Sequence, residues 1–229
     1  GKAHWCTKQK QQRPRSKQVT MKKIVVLTAA LSVALSTQAV VVIDTFNAPP
    51  AGGHVIVNVG GFLNIGTPTV AAAGVLGGWR TMVLGNTSGA GIAQANVNND
   101  GAGTGTGILS LATDTDVVGS LSVLWDANGA GLGQNITANP IVEVDFAAVD
   151  LTGGSAIMRA SDGGAPQPAL GVVVTPGVAQ FDLSGLGLNL STIQSIEMVI
   201  YTANGTDIQV GEARLVPEPH EYALLAGLG

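Results

Sequence analysis

The feature that most limits what this chain can fold into is a two-residue rhythm that begins at Val40 and returns in short bursts as far as Val216. Its clearest stretch is IVEVDFAAVD at 141–150, which sets Val142, Val144, Phe146 and Ala148 on one face and Glu143 and Asp145 on the other. Successive side chains of a strand point to opposite sides, so strict alternation predicts a strand with one face buried and one solvated. VVVIDTF (40–46), HVIVNV (54–59), WRTMVLG (79–85), GILSLAT (107–113) and GSLSVLWD (119–126) share the texture, as do SAIMRAS (155–161), GVVVT (171–175) and VAQFDLS (178–184). The series closes with IQSIEMVIYT (193–202) and DIQVGEARLV (207–216).

About eleven short strands with no amphipathic helix of useful length predict an all-β domain over 40–216, a single β-sandwich or jelly roll. The 32 glycines and the scarcity of aromatic residues, 4% of the chain, agree with short strands and tight connections. The Gly-rich stretches 85–107 and 127–134 read as loops. Ala203-Asn204-Gly205-Thr206 between the last two strand patterns reads as a hairpin turn. Trp79 and Trp125 sit among apolar neighbours and are expected to anchor the core.

Charge divides the chain sharply. Every lysine lies at or before Lys23, and after residue 39 the basic side chains are Arg80, Arg159 and Arg214. All 15 acidic residues also follow residue 39, so 40–229 carries 3 − 15 = −12. A strongly acidic domain is unsuited to nucleic acid, which needs clustered cations to replace phosphate counterions. With Cys6 as the one cysteine, neither an intrachain disulfide nor a cysteine zinc site can form.

Residues 1–20 are basic and without periodicity, and are expected to be an unstructured upstream segment. From Met21 the chain has the three parts of a secretory leader. Met21-Lys22-Lys23 is a positive start, 24–35 is an uncharged apolar run too short to span a bilayer, and Thr37 and Ala39 are small residues at the −3 and −1 positions. Residues 21–39 therefore read as a signal peptide cut after Ala39.

At the other end, Val216-Pro217-Glu218-Pro219 runs into His220-Glu221-Tyr222 and the apolar stretch 223–229. This segment, 217–229, resembles the opening of a PEP-CTERM sorting tail, with Pro217, Glu218 and Pro219 on the motif. The family's full hydrophobic helix and its closing arginine cluster are missing here. The resemblance implies a Gram-negative bacterium that makes exopolysaccharide, transient anchoring of the tail in the inner membrane, and processing by an exosortase near the motif. The product would be secreted or held at the cell surface. More loosely, the last two strand patterns look like those of jelly-roll carbohydrate-binding modules.

Catalytic signals are sparse. His54 and His220 are the histidines after residue 39, and no G-x-S-x-G elbow occurs. Glu143 and Asp145 share a strand face, as the paired carboxylates of sandwich-fold glycosidases do, but Ala147 stands where a third acid would be needed. The glycine-rich runs 101–107 and 129–133 neither open a helix nor precede a lysine, which excludes a phosphate loop. Calcium is a candidate ligand for the Asp- and Asn-rich loops at 98–101, 114–116 and 126–129, since hard oxygen donors suit it. By the resemblance to carbohydrate-binding jelly rolls, its place would join the first and last strands at Asp44, Asp207 and Glu212. The leading reading is a non-catalytic surface or matrix protein associated with polysaccharide. The alternatives are a carbohydrate-binding module or adhesin, with Trp79, Trp125 or Tyr201 together on a sheet, and a glycan-active enzyme.

Overall fold

The computed structural model describes residues 39–47, 54–59, 64–66, 70–71, 74–86, 91–97, 107–150 and 154–218. The expectations for 1–20, for the leader ahead of Ala39, for the loop at 98–101 and for Pro219 onward lie outside these residues. Chain contacts divide the molecule at Thr37/Gln38, and every described residue belongs to the unit that begins at Gln38.

The strands in chain order are β1 (Val41–Asp44), β2 (His54–Val59), β3 (Asn64–Gly66), β4 (Val70–Ala71), β5 (Trp79–Asn86), β6 (Ile92–Val97), β7 (Leu109–Thr113) and β8 (Gly119–Trp125). There follow β9 (Ile141–Val149), β10 (Ser155–Ser161), β11 (Gln167–Pro168), β12 (Val172–Val173), β13 (Gly177–Asp182), β14 (Ser195–Tyr201) and β15 (Ile208–Val216). Helical structure among the described residues is limited to single 3-10 turns at Leu76–Gly78 and Ser184–Leu186, and no helix there is long and apolar enough to cross a membrane.

All pairing is antiparallel, in two sheets. A front sheet of seven strands runs β13-β9-β15-β7-β6-β2, with β1 added to β15; a back sheet of eight runs β11-β10-β14-β8-β5-β3, with β12 on β10 and β4 on β5. From β7 onward every long strand changes sheet, the winding of a jelly roll. Between the sheets, Val142, Val144, Phe146, Phe181, Leu111, Val210 and Leu215 face Met82, Leu84, Leu121, Val123, Trp125, Met158 and Ile200. Each such side chain contributes about 1.5–3 kcal/mol on burial, so this one apolar layer is the main source of stability.

The structure corrects four sequence expectations. Residues 193–202 and 207–216 do not form a hairpin: β14 lies between β10 and β8, while β15 lies between β9 and β7 in the other sheet. The turn between them docks on the β7–β8 connection instead, with the Gly205 amide donating to the Asp114 carbonyl and the Thr206 amide to Thr113 Oγ1. Both strands alternate because each buries one face against the opposite sheet, a pattern that a hairpin and a crossover share. The loop expected at 85–107 contains β6, whose inward residues Ala93, Ala95 and Val97 are too small to stand out as a strand signal. Ala148 is exposed, because β15 slips register against β9 between Gln209 and Val210 and the alternation breaks there. Trp79 is half-buried and points outward, since its neighbour Arg80 takes the core-facing place on β5.

Strand β1 fixes the site's surroundings. It lies on one edge of β15 beside Ala213–Leu215, while β7 takes the same edge at Ile208–Val210. The two meet end to end at Gly107, where a Cβ would stand 2.6 Å from the Thr45 carbonyl oxygen and φ is +68°. A side chain there would push β1 out of line, so glycine is required by both space and backbone conformation.

Candidate functional site

Two arginine–carboxylate clusters flank β15, one inside the sandwich and one outside. The inner one is built on Asp44 at the end of β1. Asp44 Oδ2 accepts from Arg80 Nε at 2.7 Å and from Trp125 Nε1 at 2.9 Å; Oδ1 accepts from Arg80 Nη2 at 2.6 Å and from the Phe46 amide at 2.8 Å. Arg80 also lies over the Phe46 ring, 5.1 Å from its centroid, and Phe46 adopts a φ of +52° to make this approach. Both charged side chains are 1% exposed. Asp44 comes from the front sheet and its two partners from the back sheet, so a single carboxylate ties the sheets together through the core.

The outer cluster is a ladder across four strands. Gln180 on β13, Glu143 on β9, Arg214 on β15 and Val42 on β1 stand in one register row. Glu143 Oε1 accepts from Gln180 Nε2 at 2.8 Å, and Glu143 Oε2 accepts from Arg214 Nε at 2.8 Å. The neighbouring row is Val178–Asp145–Glu212, and Arg214 Nη1 lies 3.7 Å from Glu212 Oε1. The hydrogen bond to Glu143 is the main reason that Arg214 is held more basic than usual, with the charges of Glu143, Glu212 and Asp145 adding to it.

Between the rows is an open notch lined by Glu143, Asp145, Val178, Glu212 and Arg214. Gly211 makes room for it: a Cβ there would stand 3.2 Å from Asp145 Oδ2, and β15 bulges between Val210 and Glu212. Asp145 and Glu212 are direct cross-strand partners of like charge, an arrangement that disfavours the sheet by itself.

The three residues expected to hold calcium are not brought together. Asp44 is inside and bonded to four donors, Glu212 is on the outer face beside Arg214, and Asp207 precedes β15 at one end of the sandwich. Among the described residues no cluster of three or more His, Cys, Asp or Glu side chains could hold a metal ion. Asp207 faces a second carboxylate: its amide donates to Asp150 Oδ1 at 2.7 Å, and the Asp150 amide donates back to the Asp207 carbonyl. Burial, and then the charge of Asp150, pushes the Asp207 carboxyl above its ordinary range. In the other candidate loops, Asp114 Oδ2 accepts from the Ile92 amide at 2.7 Å, and Ala127, Asn128 and Gly129 form a turn with positive φ at all three.

The aromatic candidates do not share a surface. Trp125 is wholly inside. Tyr201, 36% exposed, stands beside Ser155 and Ser120 at one end of the back sheet, and Trp79 is at the other end, beyond the Thr81–Leu124 pair. The residues flanking the domain do come together. Val41 pairs with Leu215, so Ala39 at the head of β1 and Pro217-Glu218 at the foot of β15 leave the sandwich from the same pole. Pro217 is buried there, and the Ala39 carbonyl accepts from Asn139 Nδ2 at 2.8 Å.

No protein-family model matches the chain, and no curated protein matches it by sequence. Among solved structures it is similar to the family 11 carbohydrate-binding module of the cellulosomal cellulase Lic26A-Cel5E of Clostridium thermocellum, at 11% identity over 80% of this chain and 97% of that one, with a TM-score of 0.36. The family 11 module from the same organism in complex with a β-1,3-1,4-mixed-linked tetrasaccharide gives 13% identity over 80% and 98%, with a TM-score of 0.37. The CBM22-1–GH10 modules of Clostridium thermocellum xylanase 10B with xylohexaose give 12% over 78% and 28%, with a TM-score of 0.29. These likenesses are too distant to pass a ligand from those modules to this chain.

Proposed function

We propose that the domain is an exported, non-catalytic surface or matrix protein that associates with neutral polysaccharide through the outer face of the front sheet. The observation that carries this reading is the Gln180–Glu143–Arg214 ladder with the opposed acids Asp145 and Glu212 beside it. Fixed carboxylates accept pairs of sugar hydroxyls, and an arginine fork donates to sugar oxygens. Two like charges placed face to face weaken a sheet, and departures from local rules of this kind concentrate where a protein binds something. The chain from residue 40 onward is acidic as a whole, −12 over 40–229, so an anionic polymer would be repelled and a neutral one is favoured.

A catalytic role is less well supported. Both oxygens of Glu143 are already engaged, by Gln180 and by Arg214, which leaves neither aimed at a reacting group. The export half of the proposal rests on the leader and on the PEP-CTERM resemblance at Pro217, Glu218 and Pro219. The shared pole supports it, because a leader and a tail held in the same membrane must leave a domain on the same side. Affinity electrophoresis tests the binding: the protein is run through gels carrying a neutral β-glucan or a uronic-acid polymer. Retardation by the neutral glycan alone is expected; retardation by neither, or by the anionic polymer alone, refutes the proposal.

A further inference from the structure

Asn139 stands where leader removal would change the chemistry. It closes the turn before β9, with its amide donating to the Ile136 carbonyl at 2.9 Å, and it is 8% exposed. Its side chain reaches past the end of β15 to the head of β1, where Nδ2 donates to the Ala39 carbonyl at 2.8 Å. That carbonyl belongs to the peptide bond a signal peptidase would cut if the leader ends at Ala39. The other half of the Asn139 amide, Oδ1, is buried and has no hydrogen-bond partner.

We propose that Asn139 is the receptor for the new N-terminus, binding the Val40 α-ammonium through Oδ1 once the leader is gone. This rests on the export reading above. Hydrolysis adds water across the bond: its oxygen goes to the Ala39 carbonyl carbon, which departs with the leader as a carboxylate, and its protons leave Val40 as an ammonium. The Nδ2 partner is thereby lost and a donor with charge appears about 2.2 Å from where the carbonyl oxygen stood, by standard peptide dimensions. A half-turn of the amide exchanges its donor and acceptor sides, so one residue serves both states.

The test compares Asn139→Asp in two forms of the protein. One form is the full chain with Ala39 retained. The other begins at Val40, released from a cleavable N-terminal fusion, and differs from the compact unit that starts at Gln38 by two residues. An aspartate accepts from an ammonium but cannot donate to a carbonyl. The substitution should therefore lower the melting temperature of the full chain and leave unchanged or raise that of the Val40 form. The benefit in the Val40 form should fade as pH rises above the α-amino range of about 8. Equal losses in both forms overturn the proposal. N-terminal sequencing of exported protein is read separately: a start other than Val40 refutes the leader reading without touching the Asn139 result.

Discussion

Asp44–Arg80 and Glu143–Arg214 are the same chemical pair placed in opposite settings. The inner pair has side chains that are 1% exposed on both sides, whereas the outer arginine and glutamate are 39% and 15% exposed. Inside, every donor aimed at Asp44 has given up water and depends on that one carboxylate, so the pair is bound to the fold. Outside, water can replace either partner, so the pair adds little to stability and its groups remain available to a ligand. Burial therefore decides which cluster is structural and which is a site.

The largest effect expected from this contrast is at Asp44. Asp44→Ala leaves a buried guanidinium and an indole N–H without their acceptor, and should cost about 3–5 kcal/mol in chemical denaturation. A loss under about 1 kcal/mol would mean that water reaches the pair and the contrast is false. Trp125→Phe comes next: it keeps much of the ring but removes the Nε1 donor, and should cost about 1–3 kcal/mol. If Trp125→Phe is additive with Asp44→Ala, the indole and the carboxylate do not act together.

The smallest effect is at the Asp150–Asp207 pair. Since the folded Asp207 carboxyl is raised, the native state holds more protons than the unfolded one between pH 3.8 and the raised value, and stability is lost as pH rises through that window. Asp150→Asn keeps the acceptor for the Asp207 amide and removes the charge. It should raise the melting temperature slightly at neutral pH, and the gain should shrink as pH falls through the raised value of Asp207 and that carboxyl takes up its proton. A gain that persists in acid would assign the effect to packing.

The division between legible and hidden follows the range of the interactions. Glu143 and Asp145 could be put on one outward face from period alone, and Val142, Val144 and Phe146 on the inner one, because strand geometry is local. The partners of Glu143 could not be read, since Arg214 is 71 positions away and Gln180 is 37. Asp44 is a calcium candidate only through the resemblance to carbohydrate-binding jelly rolls, and nothing near it in sequence reveals Arg80 and Trp125 across the core. The final two strands misled for the same reason: alternation records that a face is buried and is silent on which sheet buries it. The apolar neighbours of Trp79 point it inward, whereas Arg80, drawn in by Asp44, fixes the parity of β5 the other way.

The most direct measurement of the central claim is to take Arg214→Ala through thermal melting and neutral-glycan affinity electrophoresis on one sample. An exposed pair is worth at most about 1 kcal/mol, which moves the melting temperature by less than about 4 °C in a domain of this size. The account predicts that small shift together with loss of retardation in the gel. Full retardation by the variant, or a loss of binding matched by collapse of the fold, would contradict it.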